Sequence, residues 1–173
     1  MINLSVIIVS WNVREALKEN IARLFELETG VDIEIIVVDN ASSDGSRSMV
    51  RSEFPQVELV ANDWNSGFAH ACNQGLRIAK GEVVLLLNPD MLVGDRTLDR
   101  THELLTNDPS MGVLGVKLIG PDGSPLGSVR RDPGLSDQLA ILMKIPHILK
   151  LKSLDRYHAT DMQYGLSQEV DQV

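Results

Sequence analysis

One cysteine, Cys72, stands among the 173 residues. A single thiol excludes an internal disulfide framework and any cysteine-based zinc site, and it fits a reducing compartment. It falls on an apolar helical stripe, the setting of a buried structural thiol rather than of a nucleophile. Basic residues are scarce too: 16 Lys and Arg against 24 Asp and Glu give a formal charge of −8 and a pI near 4.9. A nucleic-acid binder needs clustered cations to displace counterions from phosphates, so no nucleic-acid partner is expected, and any anionic ligand must be held locally, for instance through a metal. Nowhere do eighteen apolar residues run together, and the opening "MINLSVIIVS" lacks a basic leader and is too short for a signal-peptide core. These absences predict a cytoplasmic protein. Internal repeats and low-complexity segments are also missing.

What is present has the size and apolar content, 43%, of one ordinary domain with a sizeable core. The first half alternates strands and helices. "LSVIIV" (Leu4 to Val9) and "EIIVVD" (Glu34 to Asp39) are β-branched runs of the kind buried on both faces of a parallel sheet. Between them Asn12 and Glu15 have capping-box spacing, and Val13, Leu17, Ile21 and Leu24 recur at helical intervals. "NASSDGS" is a turn-forming loop leading to a short helix that ends before Pro55, and "VELVA" is a third strand. From Gly67, the residues Ala69, Cys72, Leu76 and Ala79 mark a helical face with Gly81 as the expected C-terminal cap, and "VVLLL" (Val83 to Leu87) reads as a fourth buried strand.

This order implies a parallel sheet with right-handed crossovers and helices on both faces, whose ligands bind outside the carboxyl ends of the strands. Further on, Leu98, Thr101 and Leu105 predict a helix ending near Asp108, "MGVLGVKLIG" predicts another strand, and "GPDGSPLGS" a loop or hairpin turn. The stretch from Asp132 reads as coil and helix fragments. It includes "LSDQLAILMKIPHILKLK", whose basic-amphipathic pattern fits either a core helix broken by Pro146 or peripheral membrane contact.

Several α/β activities lack their signatures. Strand one runs into "SWNVRE" rather than G-x-G-x-x-G, and neither a phosphate-binding G-x-x-x-x-G-K-[ST] loop nor a G-x-S-x-G nucleophile elbow occurs. Carboxylates and amides at strand ends remain. Asp39 can accept from a base N–H or a ribose hydroxyl. Asp90, stiffened by Pro89, is placed to bind a hard cation such as Mg²⁺ or Mn²⁺, which keeps several waters and takes one or two protein carboxylates. Taken singly, each has a plainer reading: a lone Asp after a strand forms turns or caps helices, and Asn40, Ser42, Asp44 and Ser46 suit an Asx-turn with a helix cap.

Taken together, "SVIIVSWN", "EIIVVDNASSDGS", "NSGFAHACNQGLRIAKGEVVLLLNPD" and "GVLGVKLIGPDGS" resemble the inverting family 2 glycosyltransferases of the GT-A fold, in particular their rhamnosyltransferase-like branch, over roughly Leu4 to Arg131. The resemblance implies a GT-A nucleotide-sugar-binding domain at 1–131, a Rossmann-like, mostly parallel α/β sheet, followed by a less regular segment at 132–173 leading toward an acceptor half. It also implies a nucleotide-sugar donor (dTDP-rhamnose or a UDP-sugar), a glycan or lipid-linked acceptor and a divalent cation. Carried over, it assigns Val9, Ser10 and Asn12 to the base pocket, and Asp39 and Asp44 to the acids of the next loop. Asn65, Gly67, Phe68, Ala69 and Asn73 fall in a segment close to the nucleotide. Asn88-Pro89-Asp90 takes the place of the D-x-D motif, with Asn88 replacing its first acid and Asp90 as metal ligand. Arg130 and Arg131 match a basic pair facing donor or acceptor.

The family's acceptor-activating base lies downstream of the part that resembles "EVDQV", so it is expected beyond Val173, with low transfer by this chain alone. An exposed sheet edge would favour a homodimer. Two other classes fit the same residues: a non-catalytic nucleotide-sugar or partner-binding module, and a nucleotidyltransferase, which the missing glycine-rich basic loop disfavours.

Overall fold

A computed structural model describes residues 2–132, 134–143, 168 and 170. They divide between two compact units, Met1–Met111 and Gly112–Val173, the residue 131 boundary falling inside the second.

The first unit is built on four parallel strands, β1 (Leu4–Ser10), β2 (Ile33–Asp39), β3 (Glu58–Ala61) and β4 (Val83–Leu87), in the order β3-β2-β1-β4. The chain winds outward from β1 through β2 to β3, then crosses back to place β4 on the other side of β1. The reversal at β1 creates a topological switch point, the place where open α/β sheets bind ligands. Helices α1 (Arg14–Glu26), α2 (Ser46–Glu53) and α3 (Phe68–Ile78) connect the strands, and α4 (Thr97–Asn107) follows β4.

Alternation along β1 and β2 distributes their side chains between two cores. Leu4, Val6, Ile8, Ile35 and Val37 pack with Leu17, Ile21 and Leu24 of α1 and Met49 and Val50 of α2. On the opposite face Ile7, Ile36 and Val38 pack with Ala71 of α3. Both central strands are buried on both faces, as their β-branched runs predict. Gly75 lets α3 lie close to the sheet: a Cβ there would come within 2.6 Å of Ile7 Cγ2.

Five local expectations are corrected. First, β4 is not buried on both faces: Val83, Leu85 and Leu87 pack against the α1/α2 core, whereas Val84 and Leu86 are 36% and 50% exposed. The cause is coverage, since α3 packs on β1 and β2 and no described strand pairs with the outer edge of β4. Second, the capping box does not form. Helix α1 starts at Arg14 with no side-chain cap from its own first turn, because Asn12 Oδ1 instead accepts the Ser43 N–H, at 2.8 Å. Third, the inward face of α3 is Ala71, Cys72 and Gly75, with Ala69 and Leu76 exposed. Fourth, Gly81 is not the cap of α3, which closes through the Ala79 N–H to the Gly75 carbonyl. A Cβ on Gly81 would meet Ser5 N at 2.5 Å, so close backbone approach explains the glycine. Fifth, "MGVLGVKLIG" is not one strand.

In the second unit only Leu118–Ile119 of that segment is extended, as β5 of an antiparallel hairpin with β6 (Pro125–Leu126). Asp122 Oδ1 accepts from the Ser124 N–H and hydroxyl and closes the intervening turn, as "GPDGSPLGS" predicts. Met111 to Lys117 form no regular element, and Val113 is exposed. Helix α5 (Leu135–Leu142) covers the start of the amphipathic stretch, and the rest of it, from Lys144, lies outside the described residues. No helix among the described residues is long and apolar enough to cross a membrane.

Candidate nucleotide site

The carboxyl ends of β1 and β2 bring Ser10 and Asp39 into register as paired residues. Asp39 is 1% exposed. Its Oδ1 accepts from the Ser42 N–H (2.9 Å) and from Nε of Arg47 (2.5 Å), and the Arg47 guanidinium also donates to the Asn62 carbonyl. The second carboxylate oxygen, Oδ2, is buried with no hydrogen-bond partner, and so is Ser10 Oγ. A buried polar atom without a partner is costly, more so on an ionised group. Two such atoms on neighbouring strand ends leave an acceptor and a hydroxyl without a polar partner at the carboxyl edge of the sheet.

The loops after β1 and β2 are tied to each other. Asn12, at φ 54°, donates its N–H to Ser42 Oγ, at 2.9 Å, and accepts from Ser43. Asp44 joins two helix N-termini: Oδ2 accepts the N–H of Arg14, the first residue of α1, and Oδ1 accepts the N–H and hydroxyl of Ser46, the first residue of α2. Burial pushes the Asp44 carboxyl up, but these bonds from Ser46 and Arg14 outweigh it and hold the group below its ordinary value. Asp44 is therefore occupied by backbone, with its anion at the positive ends of two helices.

A second network joins the β3–α3 loop to the end of β2. Asn40 donates to the Gly67 carbonyl and accepts from Asn62 and from the Ser66 hydroxyl. Asn62 and Gln74 exchange two bonds at 2.8 Å. Asn65 Oδ1 accepts the Gly67 N–H, and Gly67 takes φ 81°, a left-handed conformation that glycine adopts at least cost. Thus Asn12, Asp39, Asn65 and Gly67 are joined through Ser42, Arg47, Asn62 and Asn40, Ser10 reaches them only through its carbonyl, which accepts the Asn40 N–H, and Asp44 ties the two helix N-termini beside them. Val9 packs its side chain into the core under α3. Phe68, Ala69 and Asn73 are exposed on α3 and outside these networks.

On the far side of β1, β4 ends at Leu87, paired with Ile8, and Asn88 to Met91 make a turn closed by the Met91 N–H to the Asn88 carbonyl. Asp90 is exposed and makes no hydrogen bond or ion pair among the described residues, which also hold no group of three or more His, Cys, Asp or Glu able to enclose a metal. One free carboxylate fits a cation that takes most of its ligands from phosphate and water, as Mg²⁺ and Mn²⁺ do, and does not fit a structural metal cage. Arg130 and Arg131 belong to the second unit, where Arg130 donates to the Gly127 and Val129 carbonyls.

Sequence reasoning missed Arg47, Asn62, Gln74 and Asn20 and read Asn40 only as a turn former; Arg47 reaches Asp39 eight residues back, and the others bond across loops that the fold brings together. A signal existed only for Asn20, an amide at helical spacing from Leu17 and Leu24 on the apolar stripe of α1. Cys72 is buried, and burial pushes its thiol up, as an inert structural thiol requires.

Comparison with known proteins bears on this geometry. The description "Glycosyl transferase family 2" matches residues 5–161. An uncharacterized glycosyltransferase, YfnE, of Bacillus subtilis is 32% identical over 65% of this chain and 29% of its own length. The N-acetylglucosaminyl-diphospho-decaprenol L-rhamnosyltransferase of Mycobacterium tuberculosis is 28% identical over 76% of this chain and 46% of its own. The chain thus spans less than half of either relative. Among solved structures, a mannosyltransferase from Pyrobaculum calidifontis in complex with GDP-Man and Mn²⁺ superposes with a TM-score of 0.61 and 31% identity, over 69% of this chain and 36% of that one. TarS of Staphylococcus aureus, residues 1–349 with UDP-GlcNAc, shares the fold, with a TM-score of 0.61 and 21% identity over 84% and 48% of the two chains. The strand order, the strand-end carboxylates and the extent of the match agree: the fold is GT-A, and the chain belongs to glycosyltransferase family 2.

Proposed function

We propose that this chain supplies the donor-nucleotide site of an enzyme that transfers a sugar from a nucleoside diphosphate to a glycan or lipid-linked acceptor with inversion. The observation that carries the reading is the pair of unpartnered buried atoms, Asp39 Oδ2 and Ser10 Oγ, across β1 from the free carboxylate of Asp90. In this reading Asp39 Oδ2 accepts from a base N–H or ribose hydroxyl, and Ser10 Oγ meets the same end of the nucleoside. Asn12 and the Asn65–Gly67 turn would flank the nucleoside. The diphosphate extends toward β4, where Asp90 would hold a divalent cation, and that cation supplies the charge that neutralises the departing diphosphate. Asp44 contributes by fixing the loops rather than by touching the ligand. The rhamnosyltransferase relative supports a dTDP-rhamnose-like donor and a lipid-linked acceptor, and the structural neighbours with GDP-Man and UDP-GlcNAc leave UDP- and GDP-sugars as the next donors to try.

The test is a thermal-shift panel of UDP, dTDP, GDP and CDP with Mn²⁺ and with EDTA, on wild type, Asp39→Ala and Asp90→Ala. A ligand at a hundred times its Kd stabilises by about 2.7 kcal/mol. One diphosphate should give such a shift only with Mn²⁺, Asp39 and Asp90 all present. Equal shifts in EDTA, or with Asp90→Ala in Mn²⁺, overturn the role given to Asp90. No shift with any diphosphate overturns the reading as a whole.

A further inference from the structure

Asn20 sits on the inward face of α1 and is 1% exposed, among the leucines and isoleucine of the helix stripe. Its Nδ2 donates to two carbonyls of the loop after β4, Asn88 at 2.9 Å and Met91 at 2.6 Å, which are the two ends of the turn that contains Asp90. These acceptors fix the orientation of the amide, because the flipped form would set its oxygen against two carbonyl oxygens. Its own Oδ1 is then buried without a partner. An apolar residue would fill this place without stranding Oδ1, but it would take the donor away from the Asn88 and Met91 carbonyls, so the amide is retained for its hold on that loop. One turn further along α1, Arg23 donates to the Val93 carbonyl, at 3.0 Å, and pairs with Asp95, at 2.6 Å, tethering the next part of the loop.

We infer that Asn20 is a positioning residue for the cation–diphosphate end of the site: by clamping the Asn88 and Met91 carbonyls from beneath, it holds the intervening Asp90 carboxylate at the angle from which it meets the cation. The inference rests on the assignment of Asp90 as metal ligand. With Asn88 in place of a first acid, a single carboxylate carries the protein's share of the coordination, so its orientation has to be set by what lies beneath it. Residues that orient a ligand in this way alter metal affinity without touching the metal.

The experiment measures, by titration calorimetry, the affinity for whichever of UDP, dTDP, GDP and CDP wild type binds most tightly, in Mn²⁺ and in EDTA. The proteins are wild type, Asn20→Ala, Asp90→Ala and Ile21→Val, the last loosening the same helix's core contact without touching the loop. The expected result is a fall of about tenfold or more in the Mn²⁺-to-EDTA affinity ratio for Asn20→Ala, with EDTA affinity within about twofold of wild type and an unchanged ratio for Ile21→Val. If Asn20→Ala does not fold, Asn20→Ser, which keeps one hydroxyl donor, should show a smaller fall of the same kind. A wild-type ratio in the Asn20 variant, or the same fall in Ile21→Val, overturns the inference while leaving Asp90 in place. A wild-type ratio in Asp90→Ala, or no diphosphate binding by wild type, overturns the site assignment and this inference with it.

Discussion

Replacing Arg47 with Met tests the electrostatics of the nucleotide end. Asp39 is almost completely buried, and its only cationic partner among the described residues is the Arg47 guanidinium, 2.5 Å away and 27% exposed. Removing one member of a buried pair strands the other charge and costs about 3–5 kcal/mol. Here the Ser42 N–H still supports Oδ1 and water reaches the Arg47 side, so the cost falls at or just below the lower end of that range, about 2–3 kcal/mol. For a protein of this length that is a fall in Tm of about 4–12 °C. Urea unfolding followed by circular dichroism should show a lower midpoint with an unchanged slope. The carboxylate is the cause, so Asp39→Asn placed on top of Arg47→Met should recover part of the loss. A loss below about 0.5 kcal/mol for Arg47→Met, or further destabilisation by the added Asp39→Asn, would refute the pairing as the source of stability.

Three other perturbations have defined outcomes. Asp44→Ala removes the acceptor for the first N–H of both α1 and α2; at about 1 kcal/mol per lost cap it should destabilise by about 2 kcal/mol in urea melts and weaken nucleotide binding in EDTA as well as in Mn²⁺. Glu34 is set at the opposite, amino-terminal end of the sheet: burial raises its carboxyl, but the Ser5 hydroxyl, the Lys80 N–H and charge and the Gly81 N–H bring it below its ordinary 4.5. Since the folded value is the lower one, its stabilisation is present above about pH 4.5 and is lost as pH falls through the folded value, so Glu34→Gln should flatten that acid limb in pH-dependent melts and leave nucleotide affinity alone. Gly75→Ala forces a methyl against Ile7 and should cost about 1–3 kcal/mol by overpacking; a neutral change in thermal melts would mean that α3 shifts freely on the sheet.

The parts of the fold that could be read in the sequence are those set by local pattern. The β-branched runs of β1 and β2 are buried on both faces because α1 and α2 lie on one side and α3 on the other. "VVLLL" looks the same in sequence, yet Leu86 is half exposed, because burial depends on what covers a strand and no periodicity records that. Asn12 and Glu15 have the spacing of a capping box, but Ser43 offers Asn12 a better partner and Asp44 caps α1 from thirty residues away. The candidate ligands Asp39 and Asp90 were legible because strand-end carboxylates stand out against apolar runs. Arg47 and Asn62 were not, since Arg47 meets Asp39 through the path of the β2–α2 loop and Asn62 meets Asn40 and Gln74 at the sheet end; Asn20 showed only as an amide on an apolar stripe, its partners lying in the loop after β4.

The central claim is that one ligand spans the switch point from Asp39 to Asp90. It is tested most directly by Mn²⁺-induced line broadening in amide NMR spectra of the chain loaded with the nucleoside diphosphate it binds. Broadening is expected to centre on Asn88 to Met91, to reach Ser10 and Asn12 at the end of β1, to require the nucleotide and to disappear in Asp90→Ala. Broadening that persists in Asp90→Ala, or that centres away from Asn88 to Met91 with or without nucleotide, would contradict that claim.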